Sequence, residues 1–197
     1  VGLAITFGVM GVINMAHGEL VMLGAYATFV VQDVFRTHWP GAFDHSLFVA
    51  VPAAFLVSGL AGVALERGVI RFLYGRPLET LLATWGISLI LQQAVRSAFG
   101  PTNREVGTPS WMSGAYETAS GLALTYNRIA IIVFSLLVVG AVALILRRTA
   151  FGLSMRAVTQ NRRMAGAMGI RTGRVDALTF GLGSGIAGVA GAALSQI

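Results

Sequence analysis

The sequence predicts an all-α fold, a polytopic bundle of transmembrane helices, and three observations carry that prediction. Hydrophobic residues make up 55% of the 197 and charged residues only 11%, where a water-soluble domain carries about 25% charged residues. The apolar residues gather into tracts close to the roughly 20 residues that cross a bilayer as a helix. The charges lie mostly between these tracts, and each of the 14 cationic side chains is an arginine.

The first tract, residues 1–35, carries only Glu19, Asp33 and one histidine, His17. It is too long for one straight span at about 1.5 Å per residue. Two segments are expected, about 1–16 and 18–35, with a broken helix near 14–19. The next span, 46–65, is free of charge and contains Pro52, which should kink a helix unless neighbours satisfy the carbonyl it frees.

Residues 80–99 form an apolar span that carries Gln92, Gln93 and Arg96, and 129–146 is a span whose only polar side chain is Ser135. The last span, 176–197, is rich in Gly, Ala and Ser and starts at Asp176, where a carboxylate complements the positive end of a helix. The chain opens at Val1 and stops at Ile197 inside apolar runs, so a longer protein is expected around it. No basic segment precedes the first run, which argues against a signal peptide.

Arginine placement orients the array, because links rich in Lys or Arg stay in the cytoplasm. Seven arginines lie in the 147–175 link and three, Arg67, Arg71 and Arg76, in the 66–79 link. Arg36, Arg96, Arg104 and Arg128 fall on the other side. The 66–79 and 147–175 links are therefore expected in the cytoplasm, and 36–45 and 100–128 outside. The 100–128 link has Pro101, Pro109 and several Gly, Ser and Thr, which suits an irregular cap, with a short extended piece at 122–126.

Several function classes drop out. There is no cysteine, so disulfide, thiolate and Cys-zinc chemistry are absent from this stretch, and without lysine there is no Walker A loop. The net charge of +6 does not point to nucleic acid, since the arginines separate apolar runs rather than form a basic face on a folded domain. Nothing resembles the motifs of an intramembrane enzyme, and no metal or cofactor site is expected.

Polar groups inside a membrane are costly and draw attention first. Asn14, His17 and Glu19 cluster at the expected break, where freed backbone groups can face a water-filled cavity. Asn14 and His17 could equally cap the broken ends, with Glu19 paired to an arginine. Gln92 and Gln93 face about 100° apart on a helix, so at most one points straight into a pathway, and the other suits an interhelical hydrogen bond. Arg96, one turn beyond Gln92, is expected to snorkel to the outer interface. Thr84 and Trp85 are further pocket candidates, Trp85 alternatively an interface anchor.

Gly183-Ser-Gly-Ile-Ala-Gly188 matches a dinucleotide pattern but lies inside an apolar run, where that pattern carries no meaning. The small residues Gly181, Gly185, Gly188 and Gly191 suit close helix packing. Residues 154–168 read as a short amphipathic helix outside the bilayer, stopped at Gly169, either held by anionic lipid or docked to a cytoplasmic partner.

Four stretches carry a resemblance to a known family. They are Gly11-Val-Ile-Asn-Met-Ala-His-Gly-Glu-Leu-Val-Met-Leu-Gly-Ala-Tyr26, the run from Leu65 to Gln93, Phe99-Gly-Pro-Thr-Asn-Arg-Glu-Val106, and Met155-Arg-Ala-Val-Thr-Gln-Asn-Arg-Arg-Met164 with Met168-Gly-Ile170. The chain resembles the inner-membrane permease subunits of ABC importers in the branched-chain amino acid and urea group. The first and fourth stretches are common to both branches; the second and third lean toward the urea permease.

The resemblance implies a type II-like importer permease in the bacterial inner membrane. Its partners would be a second homologous permease, two cytoplasmic ATP-binding subunits that hydrolyse ATP in its place, and a periplasmic solute-binding protein. The 155–170 helix would be the coupling helix. The Glu-Ala-Ala signature of other ABC permeases is absent, since residues 163–165 are Arg-Met-Ala.

The sequence thus points to a gated pathway for a small polar solute, with Asn14, His17, Glu19, Thr84, Trp85 and Gln92 lining or gating it. Arg156, Asn161, Arg162 and Gly169 would belong to the coupling element. A mainly uncharged lining favours urea. The alternatives are a branched-chain amino acid permease of the same fold and a passive channel or ion-coupled carrier.

Overall fold

A computed structural model describes residues 1–100, 102, 106–108, 114–117 and 123–196. Eight helices occur in it: α1 (Gly2–Met10), α2 (His17–His38), α3 (Ser46–Gly68), α4 (Pro77–Phe99), α5 (Tyr126–Arg148), α6 (Ala150–Gln160), α7 (Arg162–Ala167) and α8 (Thr172–Leu194). A small antiparallel hairpin, β1 (Ala115–Glu117) with β2 (Ala123–Thr125), interrupts the helical order before α5. Its second strand falls on the extended piece expected at 122–126, of which Leu122 lies outside the described residues, as do Pro101, Arg104 and Pro109.

Among the described residues five helical segments are long and apolar enough to cross a membrane: His17–His38, Pro40–Phe72, Pro77–Phe99, Tyr126–Arg148 and Thr172–Leu194. The expected span at 1–16 takes another form. Gly11 adopts a left-handed φ of 65° and donates its N–H to Phe7, closing α1 after nine residues. At about 1.5 Å per residue this helix covers less than half a bilayer core. The break occupies residues 11–16, slightly before the expected point, and His17 is already the first residue of α2.

α8 is the centre of the bundle, with α1, α2 and α3 packed around it. Two-thirds of its apolar window is buried (67%), against 6% for α5, so the same hydropathy signal marks a core helix in one case and an outward-facing one in the other. Buried positions recur every fourth residue: Leu20, Gly24, Thr28 and Gln32 in α2, Ser46 through Ala50, Ala54, Ser58 and Gly62 to Glu66 in α3, and Thr80, Thr84 and Ser88 in α4. Apart from Leu20 the stripes are small or polar, while Leu56, Leu60, Ile90, Leu136 and Leu137 are exposed. In lipid, apolar burial gives little drive to association, and small residues win because they let backbones approach.

The glycines of α8 show how close that approach is. A Cβ on Gly188 would overlap the Ala54 carbonyl oxygen, and one on Gly191 the Val21 carbonyl oxygen. At Gly185 the obstacle is the Phe55 ring at 2.6 Å, and at Gly181 the Val63 methyl at 2.6 Å. Reciprocal small residues, Gly24 against Gly188 and Gly62 against Ser184, complete the contacts.

The single helix expected over 154–168 is two. Asn161 takes an extended conformation between α6 and α7, and its side-chain oxygen accepts from Met164 N–H at 3.0 Å, capping α7. Thr149 caps α6 in the same way through Gly152 N–H at 3.2 Å. α6 buries Gly152, Met155 and Val158 against α1, α5 and α8, and Gly169, with φ of 87°, turns the chain toward α8.

Candidate functional site

The break between α1 and α2 rests against α4, and a single threonine ties them. Thr84 is 1% exposed; its hydroxyl accepts from Met15 N–H at 3.1 Å and lies 3.3 Å from the Ile13 carbonyl and 3.1 Å from that of Leu81. Main-chain groups freed by a break must find partners where water is scarce, and Thr84 serves two of them. Asn14 serves a third, its Oδ1 accepting from Ala16 N–H at 3.1 Å, although its buried Nδ2 has no partner. Asn14 and Thr84, expected to line a pathway, are both buried here and bonded to main-chain groups of the break.

His17 opens α2 half-buried, its ring beside Gly2 and its Nδ1 without a partner. Two residues on, Glu19 accepts from Gln92 Nε2 at 2.5 Å, and the same amide lies 3.5 Å from Ser88 Oγ. Glu19 thus pairs with a glutamine and not with an arginine, while Gln93 is exposed.

Glu19, Met22 and Tyr26 of α2 and Gln92, Val95 and Arg96 of α4 line a cavity of ≈ 310 Å³ between the two helices. Arg96 is four residues after Gln92, about 6 Å further along α4. The cavity therefore presents a carboxylate and a guanidinium that form no ion pair with each other within 4.0 Å. Trp85 is 54% exposed and shares an outward apolar face of α4 with Leu78, Leu82 and Leu89, away from this cavity.

A second polar site forms where the 66–79 and 147–175 links meet. Arg162 Nη2 bonds Asp176 Oδ1 at 2.5 Å, joining α7 to α8 just past its first turn. The Arg162 guanidinium also stacks 4.9 Å above the Tyr74 ring, and the Tyr74 hydroxyl donates to Glu66 Oε1 at 2.8 Å. Burial, then the Asp176 and Glu66 carboxylates, raise the Tyr74 phenol far above its usual range, which keeps it a hydrogen-bond donor. Arg156 reaches back to the Leu146 carbonyl at the end of α5, and Gly169 is exposed.

Sequence reasoning gave Asp176 no role beyond the helix end and did not find Glu66, Tyr74 or Gln32. Gln32, 1% exposed, clamps Gly107 with both ends of its amide, at 2.8 and 2.9 Å. The signal for Glu66 and Gln32 was their place at the ends of four-residue stripes of small side chains.

The family described as branched-chain amino acid transport system / permease component matches residues 1–197. BraD of Pseudomonas aeruginosa, a high-affinity branched-chain amino acid transport system permease protein, is 29% identical over 201 residues, covering 100% of this chain and 65% of that protein. LivH of Escherichia coli K12, which carries the same description, is 31% identical over 204 residues with the same coverage. TsgC13 of Haloferax volcanii, an ABC transporter permease described with glucose, is 27% identical over 188 residues, covering 94% of this chain and 54% of that protein. The chain thus spans 65% of the length of the branched-chain amino acid relatives it matches. No solved structure matches it.

Proposed function

The chain belongs to the family of branched-chain amino acid transport system permease components, and on that premise we propose that it forms half of the pathway of an ATP-driven importer of branched-chain amino acids. ATP would be hydrolysed by two cytoplasmic ATP-binding subunits, the solute delivered by an external binding protein, and the other half of the pathway supplied by a second permease. The arginine-bearing links would face the cytoplasm and carry the coupling element of α6 and α7.

The observation that favours an amino acid is the pairing of Glu19 and Arg96 on one cavity. A free amino acid offers an ammonium to the carboxylate and a carboxylate to the guanidinium, an arrangement in which charge-assisted bonds are strong and directional. Met22 and Val95 in the same cavity suit an aliphatic side chain. An uncharged lining, which would have suited urea, is less well matched by a cavity that presents Glu19 and Arg96. The relatives, named for branched-chain amino acids, lend urea no support.

Urea stands as a second reading on one observation: Gln92, Gly100 and Thr102 of the cavity wall belong to the two stretches that lean toward the urea permease. A relative described with glucose also matches this chain, so similarity at this level does not by itself fix the solute.

ATP-dependent uptake by the complete complex in proteoliposomes tests both readings. Leucine uptake that is blocked by excess valine and untouched by urea is the expected outcome, with Arg96→Ala and Glu19→Gln each raising KM about tenfold or more, the effect of about 1.4 kcal/mol or more of lost binding. Uptake of urea without leucine would select the second reading, and uptake without ATP would sink the importer.

A further inference from the structure

We propose that the cavity between the two arginine-bearing links is a headgroup site for an anionic phospholipid bearing a hydroxyl beside its phosphate, such as phosphatidylglycerol, with one acyl chain laid in the groove between α3 and α8. At ≈ 630 Å³ the cavity is twice the size of the one between α2 and α4. Five guanidinium groups, from Arg67, Arg71, Arg162, Arg171 and Arg174, line it with two carboxylates, Glu66 and Asp176. Among the described residues only Arg162 has an ion-pair partner there, so the cationic excess is unspent.

The positive end of α8 adds to that excess. Thr172 and Gly173 line the cavity in its first turn, no side chain caps it, and free N–H groups at a helix start attract phosphate. Asp176 selects among phosphates. It is 1% exposed, and while its Oδ1 is held by Arg162, its Oδ2 has no partner. A bare phosphate would leave that oxygen unsatisfied and add repulsion; a glycerol headgroup brings hydroxyl donors next to its phosphate.

The lipid, and not a dissolved anion, is indicated by what lies one helical turn deeper. Residues four apart share a helix face, so Val63 sits under Arg67 and Leu178 under Arg174. Both line an apolar groove of ≈ 300 Å³ with Gly59, Phe151 and Leu182. Arginines at the interface over an apolar slot between helices reproduce the two halves of a phospholipid, and basic pockets at this depth are where anionic headgroups bind.

Native mass spectrometry of the purified full-length permease tests the site, with phosphatidylglycerol and phosphatidylcholine of identical chains added in turn. The expected result is at least a tenfold preference for phosphatidylglycerol, lost in Arg67→Ala/Arg174→Ala and kept in Arg36→Ala at the opposite end of the bundle. Because the double variant removes two surface charges and could perturb folding, Leu178→Trp, which fills the groove from an exposed position, should also displace the lipid. Equal retention of the two lipids, or phosphatidylglycerol bound unchanged in both the double variant and Leu178→Trp, would overturn the proposal. Displacement of the lipid by millimolar inorganic phosphate would overturn the lipid as the ligand and leave a site for a free anion.

Discussion

Gly191→Ala in α8 is expected to destabilise the bundle, while Gly140→Ala in α5, chemically the same change, is expected to stabilise it. At Gly191 the new methyl would overlap the Val21 carbonyl oxygen and lie 2.9 Å from the Ala25 nitrogen. Both obstacles are main-chain atoms inside α2, so no rotamer change relieves them, and α2 and α8 must part. Forced overpacking costs about 1–3 kcal/mol, and a backbone obstacle puts this site at the upper end. At Gly140 nothing lies within 4 Å of the added carbon, and replacing a mid-helix glycine gains about 0.5–1 kcal/mol from the helix term alone. The pair should therefore differ by about 3.5–4 kcal/mol with opposite signs. Reversible unfolding of the full-length protein in mixed micelles, followed by helical circular dichroism, reads both values. A Gly191→Ala variant as stable as wild type, or two variants shifted in the same direction, would refute the packing account.

Arg162→Ala strands the Asp176 carboxylate, which is 1% exposed, and should cost about 3–5 kcal/mol; adding Asp176→Asn should recover a substantial part, and a double-variant cycle showing simple additivity would contradict it. Asn161→Ala removes the α7 cap and should cost about 1 kcal/mol, measurable as a lowered unfolding midpoint with Asn161→Ser close to wild type. Gln92→Leu removes the hydrogen bond to Glu19, worth at most about 1 kcal/mol at a partly exposed site, and uptake should fall while Gln93→Leu changes little. Trp85→Ala, on an exposed face, should stay within about 0.5 kcal/mol of wild-type stability; a larger loss would place the indole in a packed core.

The helical tracts and the two arginine-bearing links were legible because each is a local property of the chain. Length and hydropathy mark α3, α4, α5 and α8, and the clustering of arginine marks the segments between them. The break was legible in kind, from a tract too long for one span, but Gly11 set its position through a left-handed φ that hydropathy does not encode. Asn161 divided α6 from α7 for a related reason: an asparagine can cap a new helix from an extended conformation, and periodicity alone reads across it. The pairs Glu19–Gln92 and Thr84–Met15 lie 73 and 69 residues apart and depend on which helices become neighbours. No local pattern fixes that. The charges of the cavity illustrate the gap, since Glu19 and Arg96 were both visible in the sequence and only the fold sets them on one cavity.

The Thr84 hydroxyl has a mechanical consequence. Were α4 to slide alone, it would strip the partner from Met15 N–H in a medium that offers no replacement. Residues 13–15 and α4 are therefore geared together, and a conformational cycle should carry them as one lever rocking against the rigid α3–α8 spine. A disulfide engineered across the Met15–Thr84 junction would then leave turnover intact, whereas one pinning α4 to its neighbour α2 would arrest it.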